Sequence, residues 1–278
     1  MSPIERAAAA LLAGQCTPAV VRAIEGGDPG AALWQALEDS GFLEALVPES
    51  AGGAGLPLAE VEPLVRLAGY HAMPLPMAET MLARALRARA GQPARAGMSS
   101  WDALRALLPD DERHAWQAAV ATAQIAGAAQ RVLELSVTYA QQRVQFGKPI
   151  ASFQAIQHQL AVMAEQTQAA HMASQLAWTG AAGPLEAPDP VRAAMAKLVA
   201  GEAAALLASA GHAVHGAIGI TAEYDLQLYT RRLLAWRAVG GSPAGCALRV
   251  GRAWWDSGLA RSTDVMLHQL AAADAPRA

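Results

Sequence analysis

The run Tyr139-Ala140-Gln141-Gln142-Arg143-Val144-Gln145-Phe146-Gly147-Lys148-Pro149-Ile150, followed shortly by Phe153-Gln154-Ala155-Ile156-Gln157-His158, decides how the chain is read. It ends a long apolar helical pattern on a guanidinium, turns at Gly147 and Pro149, and opens a second helix whose early polar groups face the turn. Backbone N–H groups at a helix start attract anions, so an Arg fork beside them can cradle a pyrophosphate. The same residues also suit a plain helix hairpin with a solvated Arg143. Read alone, the run leaves both open.

Upstream of the hairpin, apolar positions recur at helical spacing from the acidic start Asp110-Asp111-Glu112 to about Gln142. Downstream, the spacing predicts a second long helix from Ser152 or Phe153 to about Thr179 and a third from Pro190 to about His215. Shorter helices follow Glu223 and Pro243, with turns at Gly180-Ala181-Ala182-Gly183-Pro184 and from Gly216 to Thr221. Three long helices packed antiparallel with short ones give a four-helix-bundle-like domain over residues 111–278. Residues 1–91 alternate short helical patterns with Gly26-Gly27-Asp28-Pro29-Gly30 and the Pro48 to Pro57 stretch, an N-terminal helical domain. Residues 92–110 are polar, with one short amphipathic piece from Trp101 to Leu108, and read as a linker. The fold class expected is all-α.

Composition agrees. Apolar residues make up 53% of the 278 positions and charged residues 16%, rich in the Ala and Leu that favour helix. A formal charge of -3, without a block of like charges, gives no electrostatic reason to expect nucleic acid or an anionic membrane as partner. Cys16 and Cys246 fit neither a disulfide framework nor a zinc spacing, which suits a reducing cytoplasm. The Ala-Leu run after Arg6 stops at Gly14, too short to cross a bilayer, and no export signal is visible.

The hairpin run resembles the signature hairpin of the acyl-CoA dehydrogenase family, where it contacts the adenine-dinucleotide part of FAD, often across a subunit boundary. A second ordered stretch, from Val214-His215-Gly216 through Arg231-Arg232, is similar to the family's glycine-rich turn and following helix. Gly41 to Gly55 is similar to its N-terminal helical domain. The resemblance implies N-terminal helices, a central β-domain and a C-terminal four-helix bundle, yet only the nineteen-residue span 92–110 separates the two helical parts here. The β-domain that covers the flavin ring in the family does not fit in that span.

Carried over position by position, the resemblance implies FAD contacts at Arg143, Gln145, Phe146, Ile150, Phe153, Gln154, Gly216 and Ser242. It also implies departures. Family members remove the proton α to a thioester with a carboxylate while hydride passes to the flavin. Gly240 and Gln117 occupy the two positions where members carry that carboxylate, and neither residue is a base. Ala213 stands where a flavin-contacting Gln is common, and Ala217 replaces a glycine. Glu223 and Asp225, next to Arg231 and Arg232 at helical spacing, are expected to form surface or inter-segment ion pairs, and His158 and His215 to pack or sit at an interface. Trp236, Trp254 and Trp255 suit core or subunit interface.

The expectation is therefore a subunit of an FAD-dependent acyl-CoA dehydrogenase complex, with FAD shared with a second family-like subunit that supplies the base. An acyl-CoA, bulky or steroid-derived, would be the substrate, and an electron-transfer flavoprotein or similar acceptor would reoxidise the flavin. A non-catalytic structural or regulatory homo-oligomer built on the same fold is the alternative.

Overall fold

The computed structural model describes residues 1–95, 97–179 and 186–274; the predicted turn from Gly180 to Pro184 lies outside them. Some of its helices begin where the sequence supplies side-chain partners for their first N–H groups. In α1 (Pro3–Gln15) the Ser2 hydroxyl accepts from the Glu5 amide while Glu5 reaches back to the Ser2 amide, a reciprocal cap. Thr17 caps α2 (Pro18–Glu25). Three further helices follow, α3 (Ala31–Ser40), α4 (Leu58–Tyr70) and α5 (Met77–Arg89), then the single turn α6 (Trp101–Leu104).

Helix α7 (Asp110–Gln142) is 33 residues long, roughly 50 Å. It ends in a hairpin of two-residue strands, β1 (Val144–Gln145) and β2 (Lys148–Pro149), that leads into α8 (Gln154–Ala177). In α9 (Pro190–His215) the Asp189 carboxylate accepts from the amides of Val191 and Arg192. The chain closes with α10 (Leu226–Ala238), α11 (Pro243–Ser257) and α12 (Ser262–Asp274). All the long helices expected from apolar spacing are present, with ends shifted by only a few residues.

Helices α7, α8, α9 and α10 pack on one another as a bundle; α4 lies along α7 and α11 along α9. Small residues set how closely they approach. A Cβ on Gly127 would lie 1.9 Å from the Arg66 carbonyl oxygen, and one on Gly69 would lie 2.1 Å from that of Gln124, so α4 and α7 cross backbone to backbone. One continuous hydrophobic core runs from Ala8 in α1 to Leu233 in α10. Trp116 and Trp178 meet edge to face at 6.0 Å inside it, and the Trp178 indole N–H donates to the Ala119 carbonyl at 3.0 Å. The residues expected as a pure linker contribute to this core, since Leu104 and Leu108 are buried.

Ion pairs fix the N-terminal helices against the rest. Buried Arg84 is held by Glu38 and Glu44. Asp225 pairs with Arg22 at 2.6 Å, while Arg231 and Arg232 both reach Glu25, each at 2.6 Å. The ion pair expected of Asp225 is thus an inter-segment one, to Arg22 of α2, and Arg231 and Arg232 turn to Glu25 of the same helix. The stretch Pro190–Ile220 is apolar and long enough to cross a membrane, but 56% of its most apolar window is buried within the fold, as expected of a central bundle helix.

Candidate functional site

The hairpin after α7 is built by local rules. Phe146 and Gly147 both have positive φ, 53° and 79°, the mirror-image turn whose twist matches a two-residue β connection. A phenylalanine in the left-handed region carries strain of roughly 1 kcal/mol. Its ring is nevertheless 91% exposed and meets only the edge of Phe153 at 6.1 Å. Lys148 Nζ lies over the Phe153 ring at 4.5 Å, steadying that side of the turn.

Arg143 terminates α7, its amide bonded to the Tyr139 carbonyl at 2.8 Å and its carbonyl accepting from the Ile150 amide at 2.8 Å. Its side chain is exposed and makes no ion pair among the described residues. Gln145 and Gln154 are exposed, whereas Ile150 and Phe153 are half-buried at the hairpin base. Phe153 is the N-cap of α8 and offers no side-chain acceptor, so the first N–H groups of that helix lack a side-chain cap. A free guanidinium, an uncapped helix N-terminus and an exposed aromatic face thus stand together at one end of the molecule, a donor set that suits a dinucleotide phosphate and an adenine ring.

Gly216 belongs to the same end. It follows α9 with φ 62°, next to His215, whose ring stacks on Tyr139 at 4.5 Å and approaches Tyr224 at 5.0 Å. His215 is buried, with Nδ1 2.8 Å from the Gly211 carbonyl; burial pulls its basicity below the usual histidine range. It is a packing group, as expected, while His158 is exposed on α8. Ala213 and Ala217 are exposed beside the turn.

Ser242 is at the opposite end. It caps α11 by accepting from the Gly245 amide at 3.1 Å. Two residues before it, Gly240 passes over α7 at Gln117 and Ala118. From there to Arg143 is 25 residues of helix, roughly 37 Å at 1.5 Å per residue. The expected cofactor residues therefore form two groups, one at each end of α7.

The segment around Gly240 forms the floor of a small cavity of about 180 Å³, lined also by His114, Ala118, Gly241 and Cys246. A Cβ added to Gly240 would lie 2.5 Å from the Ala118 amide nitrogen. No carboxylate lines this cavity among the described residues. Behind it, Lys197 is buried and donates to the Arg237 carbonyl at 2.8 Å, and burial lowers its basicity. Asp111 and Glu112 lie in the first turn of α7, where they complement the helix dipole; Asp111 also meets Arg249 at 3.1 Å. A buried guanidinium, Arg192, lines the neighbouring cleft; apolar spacing gave no sign of it, since it falls within an Ala-rich helix.

Comparison with known proteins identifies the family. The model "Acyl-CoA dehydrogenase, C-terminal domain" matches residues 112–253. "Acyl-CoA dehydrogenase IpdE2" of Mycobacterium tuberculosis is 30% identical over 90% of this chain and 95% of that protein. Among solved structures, "Tcur3481-Tcur3483 steroid ACAD G363A variant" superposes with a TM-score of 0.77 at 19% identity, covering 91% of this chain and 97% of that one. A chain of the "ChsE4-ChsE5 complex from Mycobacterium tuberculosis" superposes at 0.76 and 18% identity, covering 90% and 95%. These last two share the fold; the family model and the sequence relative go further, and the chain belongs to the acyl-CoA dehydrogenase family.

Proposed function

We propose that this chain is one subunit of a mixed acyl-CoA dehydrogenase complex, in which it holds the dinucleotide part of FAD and a second family-like subunit supplies the catalytic carboxylate. The observation that carries this reading is the separation of the two groups of cofactor residues. Arg143, Gln145, Phe146, Gln154 and Gly216 are exposed at one end of α7 above half-buried Ile150 and Phe153, and Ser242 stands at the other end beside a base position closed by Gly240. Each end is half a site that another chain would complete.

In this reading Arg143 holds the pyrophosphate together with the first amides of α8, and Phe146 offers its exposed face to the adenine. When bound, the flavin supplies the hydride acceptor for α,β-desaturation of an acyl-CoA thioester. The carboxylate that removes the α-proton comes from the partner, because neither Gly240 nor Gln117 can accept a proton at the matched positions. We take residues 1–91, 92–110 and 111–278 as N-terminal helical domain, linker in place of the β-domain, and bundle domain. A bulky, steroid-derived acyl group suits a cleft that lacks one wall, and the likeness to the Tcur3481-Tcur3483 steroid ACAD supports that class. An electron-transfer flavoprotein or similar acceptor would reoxidise the flavin in a reducing, cytoplasmic setting.

Co-expression with a full-length or complementary family member, followed by size exclusion with protein and flavin absorbance recorded together, tests the reading. A yellow mixed complex with less than one flavin per protomer is expected. Separate elution with flavin only in the partner's peak would overturn it and leave the non-catalytic homo-oligomer in front.

A further inference from the structure

Arg192 stands in the first turn of α9, 1% exposed, on the wall of a cleft of about 420 Å³. Arg89 at the end of α5 and Asp111 and Glu112 at the start of α7 line the other sides. The Arg192 Nη1 donates to the Gln269 main-chain oxygen at 3.3 Å, while Nε has no partner. Among the described residues no carboxylate oxygen lies within 4.0 Å of its guanidinium. The contrast with Arg84, equally buried but held by two glutamates, is direct. A buried cation without a counter-ion is costly, and such groups are ordinarily paired.

Two of the acids that line the cleft are committed elsewhere: Asp189 accepts from the amides of Val191 and Arg192, and Asp111 pairs with Arg249, while Glu112 is exposed at the rim. We propose that this cleft is a binding site for a small carboxylate, which the Arg192 fork takes, with the start of α9 behind it and Arg89 at the mouth. A planar guanidinium matches a carboxylate in a bidentate pair. A doubly charged phosphate fits worse, since four carboxylates against two guanidiniums line the space. The cleft shares Ala115 and Pro190 with the cavity floored by Gly240, so the ligand would lie beside that cavity. None of the residues assigned to flavin takes part, so the site stands or falls independently of the mixed complex.

Thermal unfolding of the chain in increasing butyrate, with butyramide and inorganic phosphate as controls at matched ionic strength, tests the proposal. Butyrate is expected to raise the midpoint saturably and the controls to leave it nearly unchanged. Arg192→Met, apolar and of similar length, should unfold at the same or a higher temperature without ligand and lose the butyrate response, whereas Arg192→Lys should keep a response with the apparent Kd at least tenfold weaker. Lack of a butyrate response in the wild-type chain, or an equal response in Arg192→Met, would overturn the site. An equal response to phosphate would overturn its chemical class. If Arg192→Met does not fold, a structural role for Arg192 is indicated and the site is overturned on that count as well.

Discussion

Gly240 and Gln117, the two positions matched to the family's catalytic carboxylate, lie against each other: a Cβ on Gly240 would sit 2.7 Å from the Gln117 carbonyl carbon. The gap between the 240 segment and α7 is closed by main chain on both sides. The residue at 240 also has φ 76°, a conformation that suits glycine.

Restoring a side chain at 240 is therefore expected to disturb the fold before it changes chemistry. Gly240→Ala should lower stability by about 2–4 kcal/mol, from overpacking against α7 together with the left-handed backbone. Urea unfolding measures this. Gly240→Glu should be worse and should yield no desaturation by the isolated chain. An unchanged midpoint for Gly240→Ala would mean that the segment moves freely away from α7.

Arg143→Ala should separate folding from cofactor retention. The side chain is exposed and unpaired, so the unfolding midpoint should move by no more than about 0.5 kcal/mol equivalent. Flavin release from the mixed complex should become about ten- to a hundredfold easier, the scale of one charge-assisted hydrogen bond. Flavin absorbance after extended dialysis reads the effect, with Arg143→Lys expected to fall between.

Acid should weaken the fold through His71. Burial, with the positive charge of Arg131 adding to it, brings this histidine down to about 4 from the usual 6.5. The unfolded chain thus binds the proton first as pH falls, so stability is full above about 6.5 and declines as pH drops from there towards 4. Urea midpoints at pH 7, 6 and 5 should decline less steeply for His71→Gln than for the wild-type chain. Parallel slopes would remove His71 from the account.

Neither thiol should react in the native protein near neutral pH. Burial pushes Cys16 up to about 12, partly offset by Arg232, and raises Cys246 with Lys197 opposing. Ellman's reagent should titrate both cysteines in denaturant, with little reaction before unfolding. Rapid native labelling of Cys16 would show that α1 opens readily from the core.

Local signals carried far in this chain. Asp189-Pro190 and Ser242-Pro243 announce helix starts because a capping oxygen followed by proline acts over two or three residues, and Arg143 to Ile150 announces the hairpin because glycine and proline fix its turn. Leu104 and Leu108 were harder to place. In a short polar segment two leucines make no readable period, and only the packed structure seats them in the core. The distance from Ser242 to Arg143 depends on how α11 folds back along α9, which no motif encodes. The isolation of Arg192 is illegible for a similar reason: a sequence rich in acids gives no hint that Asp189 and Asp111 are turned to other partners.

Arg89 and Asp111 face each other across one cleft although the whole 92–110 segment lies between them. Helices α5 and α7 thus present their ends side by side, the geometry that lets an entire folding unit be spliced in or cut out while its surroundings stay in place. That junction is the point at which this architecture is modular, and a foreign domain with neighbouring termini could be grafted there without re-routing either helix.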